Sequence, residues 1–117
     1  MIRVFAFLMC AALLGCVSGA PKLTAEQSEK VANIKVYKLW IAPERAFSII
    51  APIKAADCSG PGGSRLYGNE GKAIDILIRK TAALGGDAVV DVSCEGAPFL
   101  NNCWVAWKCD GNAASWK

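Results

Sequence analysis

NEGKAIDILIRKTAALGGDAVVDVSCE, residues 69–95, decides the fold. Asn69 is a residue type that caps helices, because its side chain accepts from an otherwise unpaired first-turn N–H. Ala73, Ile74, Leu77, Ile78, Thr81 and Leu84 follow at helical spacing and form one largely apolar stripe. Gly85 and Gly86 end the helix, as glycine just past the last turn should. Residues 87–95 then alternate. Ala88, Val90, Val92 and Cys94 are expected on one strand face, and Asp87, Asp91, Ser93 and Glu95 on the other, with Val89 the exception.

Working outward, Ile34, Val36 and Trp40 alternate with Lys35 and Lys38, which predicts a half-buried strand. Pro43-Glu44-Arg45 breaks it. Residues 47–54, FSIIAPIK, read as a second strand. Pro52 there lacks an N–H, so that strand should be an edge or carry a bulge. Residues 59–64, SGPGGS, are loop by composition. Downstream, residues 102–108 read as a final strand, with Cys103, Val105, Trp107 and Cys109 on one face and Trp104 opposite. The expected fold class is α+β. A small, mainly antiparallel sheet of order ββαββ carries one helix packed on it, stapled by two disulfides.

The start of the chain is different in kind. Residues 1–15, MIRVFAFLMCAALLG, place Arg3 before an apolar run, the plan of a secretory signal. The run is shorter than the roughly 20 apolar residues a membrane-spanning helix needs. Leu13-Leu14-Gly15-Cys16 has the form of a lipobox, so Cys16 is the expected lipidation site. Several acyl chains on it would anchor the protein stably. Residues 16–32 are then the lipidated N-terminus and a polar tether. Fully extended, its 16 residues from 17 to 32 reach about 55 Å. Residues 33–117 form the domain.

Four further cysteines, Cys58, Cys94, Cys103 and Cys109, lie in that exported domain. An even number in a small exported domain implies disulfides. Cys103 and Cys109 are six residues apart. On one extended strand that is about 20 Å, against the roughly 7 Å limit between bridged Cα atoms. Two pairings remain: Cys58–Cys103 with Cys94–Cys109, or Cys58–Cys109 with Cys94–Cys103. A tight hairpin would favour the second.

Other chemistries have little to stand on. The chain has no His, which removes the commonest acid–base catalyst and metal ligand. No C-x-x-C pair exists for zinc or redox work, and a cysteine nucleophile would lack its base. Asp87, Asp91 and Glu95 read as a solvated strand face. Formal charge is +3 with no basic run, which argues against nucleic acid. No enzyme, metal or cofactor is expected. Trp107 should be core, while Phe99, Trp104 and Trp116 are candidate partner contacts, since aromatics dominate interface energetics.

The lipobox, the polar tether, "AADC" (residues 55–58), the helix, "GGDAVVDVSCEG" (residues 85–96) and "NNCWVAWKC" (residues 101–109) together resemble the RcsF-like outer-membrane lipoproteins, envelope-stress sensors of the Rcs phosphorelay. The resemblance covers about residues 33–112 plus the lipobox. It implies the bridges Cys58–Cys103 and Cys94–Cys109, against the hairpin preference. It implies a last strand that does not pair with the preceding one in the simplest register. It also implies a domain facing the periplasm from a lipid anchor in the outer membrane, and action by protein contact. The partners implied are outer-membrane β-barrel proteins and an inner-membrane regulator of the phosphorelay. Val17 and Ser18, in place of Asp after the cysteine, fit outer-membrane sorting. A structural or adaptor lipoprotein without signalling is the alternative. The family's tether is long and proline-rich, whereas residues 17–32 hold only Pro21.

Overall fold

The computed structural model describes residues 20–58, 68–98 and 104–117. Cys16, Phe99, Cys103 and the 59–64 loop lie outside the described residues. The elements are α1 (Ala25–Val31), β1 (Lys35–Lys38), β2 (Phe47–Asp57), α2 (Glu70–Ala83), β3 (Ala88–Pro98) and β4 (Val105–Trp116). Among the described residues no helix is long and apolar enough to cross a membrane.

The central helix forms as the sequence predicts. The Asn69 side chain accepts from the Lys72 N–H, and Gly85 closes the helix at φ 76°. Ala73, Leu77 and Thr81 are buried at four-residue spacing. The Thr81 hydroxyl donates to the Leu77 carbonyl at 2.9 Å, which satisfies a polar group the stripe would otherwise bury bare. Leu84 departs from expectation: it is the C-cap residue, outside the last full turn, and is 46% exposed.

The order of elements is αββαββ, not ββαββ. The additional helix, α1, lies in the segment expected to be tether. Thr24 and Gln27 form its capping box: Thr24 Oγ1 accepts from the Gln27 N–H at 3.2 Å, and Gln27 Oε1 accepts from the Thr24 N–H at 2.9 Å. Seven residues cannot hold a helix in water alone. This one is docked. Gln27 Nε2 donates to the Ala83 carbonyl, Lys30 Nζ donates to the Gly85 carbonyl, and Leu23 and Val31 pack against the core. The packed unit therefore begins near Leu23, ten residues before the expected boundary at Asn33.

The four strands run β1-β3-β4-β2 across the sheet. β4 is antiparallel to both β2 and β3, while β1 is parallel to β3. The sheet is mainly antiparallel, as expected, with one parallel edge pair. β2 is the other edge, and its register shifts between Ile49 and Ala51. Pro52 thus sits on an edge strand beside a bulge, the two placements that proline tolerates.

β4 is longer than expected and starts later. It pairs along the whole of β2, from Phe47 opposite Trp116 to Asp57 opposite Trp107. Residues 110–115, DGNAAS, have weak strand propensity, so packing and not local preference makes them a strand. Ala113 and Ala114 are fully buried there. The small side chain of Ala113 lets α2 lie close to the sheet, and the core joins Leu77 and Ala73 to Ile53, Ala55, Val89, Val92, Cys109 and Ala113.

β3 carries the correction that matters most to its faces. Its register against β4 shifts between Val90 and Ser93, and Asp91 sits at φ 55°. The extra residue is a β-bulge, which flips the alternation beyond it. Val89, Val92 and Cys94 therefore meet the core under the helix, while Ala88 and Val90 do not join it. The expected single face of Ala88, Val90, Val92 and Cys94 is split.

Candidate functional site

One described disulfide is complete, Cys94–Cys109, between residues directly opposed on β3 and β4 with Cα atoms 4.1 Å apart. The last strand pairs with the preceding one antiparallel, but not in the tight-hairpin register: Cys109 stands opposite Cys94 and a bulge interrupts the ladder, as the resemblance implies. The hairpin preference failed for a related reason: β3 runs on to Pro98 and β4 begins at Val105. With Pro98 opposite Val105, that register sets Cys109 opposite Cys94. Cys58 is also disulfide-bonded.

Gly68 clamps the neighbouring corner. Its N–H donates to the Val105 carbonyl at 2.7 Å, and any Cβ would collide with the Asp57 carbonyl and the Trp107 N–H. The Asn69 N–H donates to Asp57 Oδ2 at 2.7 Å, so the end of β2, the start of α2 and the start of β4 are held as one corner. Trp107 packs against the core as expected. Trp104 is 57% exposed just before β4, and Trp116 is half-buried near its end.

The carboxylates expected on one face are dispersed, because the bulge separates them. Asp91 accepts from Asn112 Nδ2 at 3.3 Å. Glu95 lies 4.0 Å from Lys108 Nζ. Asp87 accepts from the Trp116 N–H at 2.9 Å and pairs with Lys30 Nζ at 3.0 Å. Among the described residues no group of three or more Cys, Asp or Glu is placed to hold a metal ion.

A cleft of about 620 Å³ opens at this end of the sheet, bounded by β1, the end of β4 and the 39–46 connection. By alternation from Ala113, Trp116 projects to the face away from α2. Tyr37 meets its ring edge-on at 6.3 Å, and the Arg45 guanidinium lies 5.1 Å from the ring centroid. Lys35 and Arg45 supply positive charge to the cleft and Glu44 opposes them. The arrangement offers an aromatic floor with two cations and one carboxylate around it.

Asp87 supports this floor. The Trp116 N–H first, then the Lys30 ammonium, hold its carboxyl below the ordinary carboxylate range, with Arg45 adding a smaller pull. A depressed folded-state pKa contributes stability that is present above the unfolded value of about 3.9 and is lost as pH falls below it. Asp87→Asn is expected to cost about 1–2 kcal/mol at pH 7. The gap from wild type should close as pH falls below 4, read by urea unfolding at a series of pH values.

At the rim of the cleft stands a feature that sequence reasoning placed wrongly. Trp40, expected in a half-buried strand, is 93% exposed. The strand ends at Lys38, and the Ile41 N–H donates back to the Lys38 carbonyl at 3.0 Å. Residues 38–41 are thus a β-turn with Trp40 at its third position, at φ 77°. That position favours glycine or asparagine, and a bulky residue there stores about 1–3 kcal/mol of strain. Leu39 and Ile41 beside it are 40% and 61% exposed. No local signal announced the turn, since Leu-Trp-Ile reads as strand. No protein-family model matches the chain, and no curated protein is significantly similar to it.

Proposed function

We propose that the chain is a lipid-anchored sensor or signalling domain of the bacterial envelope, resembling RcsF, that acts by protein contact and not by catalysis. The observation that carries the reading is the Cys94–Cys109 bridge. The resemblance implied that pairing where local reading leaned the other way. A cross-strand disulfide also fits an oxidising compartment such as the periplasm.

The second bridge is proposed as Cys58–Cys103. Cys58 follows Asp57, and Asp57 lies opposite Trp107, so the end of β2 adjoins the start of β4. Cys103 lies two residues before that start. A non-reducing disulfide map with intact-mass analysis tests both bridges and the acylation of Cys16. Partners in this reading are an outer-membrane β-barrel and, under stress, an inner-membrane regulator of a phosphorelay. Deleting the chain should change an envelope-stress reporter; unchanged activity of every such reporter would sink the sensor role.

One observation favours the adaptor alternative. With residues 25–31 helical and Leu23 packed, only residues 17–22 remain as tether. Six extended residues reach about 20 Å, not the 55 Å of an unstructured segment. A leash that short favours partners beside the anchoring membrane over one across the periplasm. Crosslinking separates the readings, because an adaptor should hold one constant partner with and without stress.

Trp104 and Phe99 remain proposed partner contacts, with Trp116 through the cleft floor. Trp104→Ala is expected to lower crosslinking yield at least several-fold while moving stability by less than about 0.5 kcal/mol, as for an exposed site. A large loss of stability would place Trp104 in the packing instead.

A further inference from the structure

We propose that the turn carrying Leu39, Trp40 and Ile41 is a second membrane contact, dipping into the headgroup zone of the phospholipid bilayer to which the chain is anchored. Three consecutive apolar side chains stand on one tight turn, at 40%, 93% and 61% exposure. Trp40 stands almost wholly in solvent, with Ile41 at the edge of the cleft, whereas a protein-binding hot spot usually sits in a well-packed, desolvated patch. Indole is the side chain that favours the membrane–water boundary, with an apolar body and one N–H for the wet side. Trp40 is held there at φ 77°, where glycine would relieve the backbone, so the fold gains nothing from a tryptophan at this position.

The surroundings have the charge for a phosphate-bearing surface. Lys35, Lys38 and Arg45 flank the turn and the cleft behind it. Glu70 pairs with Lys38, and Glu44 lines the same cleft, so the cations exceed the carboxylates by one. The short reach from the membrane points the same way, and it rests on the proposed acylation of Cys16. The six residues between Cys16 and Leu23 can reach at most about 20 Å, so the domain stays against the bilayer, where an exposed apolar tip is partitioned and not solvated.

The test uses the protein as isolated from bacterial membranes, reconstituted into phosphatidylethanolamine–phosphatidylglycerol vesicles whose acyl chains carry bromine. Bromine quenches tryptophan emission on contact. The chain has four tryptophans, so single Trp→Phe replacements assign the quenched one. Quenching is expected in the wild type, should fall at least about fivefold in Trp40→Phe, and should persist in Trp104→Phe. Trp40→Gly, which suits the turn, should match or exceed wild-type thermal stability and lose the quenching. Quenching that survives Trp40→Phe, or is absent from the wild type, overturns the proposal. So does protection of Trp40 that appears only when an envelope protein is added, which would make the turn a protein contact. Intact mass on the same sample reports acylation separately, so an unacylated Cys16 is distinguishable from a turn that ignores the bilayer.

Discussion

Leu77→Ala is expected to lower stability by about 3–5 kcal/mol, the largest effect of any single replacement considered. Leu77 is fully buried in the middle of α2, between Ala73 and Thr81, over the shared core of β2, β3 and β4. Its neighbours across the core are mostly alanine and valine, too short to fill the space left behind. The cavity term should therefore add fully to the lost transfer energy. For a domain of this size the loss is a large part of a total near 5–15 kcal/mol. Urea unfolding should show a much lower midpoint with an unchanged slope. Ile50→Ala is the control: Ile50 is 40% exposed, and its loss should stay within about 0.5 kcal/mol. Similar losses at both positions would mean that α2 does not pack as described.

Replacing Cys94 and Cys109 together by alanine is expected to remove about 3 kcal/mol. The bridge spans a sequence separation of 15 and ties β3 to β4. Without it the denatured chain regains the freedom of that loop. At roughly 4–8 °C per kcal/mol for a small domain, the thermal midpoint should fall by well over 10 °C. Substitution is the cleaner experiment than reduction, because a reductant also attacks the disulfide at Cys58. The prediction fails if the doubly substituted chain melts within about 3 °C of wild type.

The readings that succeeded rest on short-range physics. Asn69 caps α2 because a side-chain amide reaches an N–H three residues on, and Gly85 closes it because only glycine takes a positive φ freely. Burial at every fourth position between Ala73 and Thr81 needs nothing beyond the helical repeat. Pro52 on an edge strand follows from its missing N–H. Even α1 left a local mark, the Thr24–Gln27 capping box, though polar composition hid it.

The errors share a different cause. Asp91 begins a bulge that exchanges the faces of β3, and no alternation count can place one added residue. The local preference for Cys94 with Cys103 failed because the partner depends on how far β3 and β4 extend against β2, whereas the Cys94–Cys109 pairing that the resemblance implies is the one found. Trp40 sits at a turn because β1 ends where its parallel pairing with β3 does. From the sequence alone came the helix and the existence and approximate sites of the strands, which depend on neighbours within a turn or two, and with them the α+β class; the expectation of disulfides came from the cysteine count in an exported domain. The tertiary structure decided the register, the bulge, the Cys94–Cys109 pairing, the docking of α1 and the exposure of Trp40. Each of those turns on groups far apart in the chain, and only packing brings them within range.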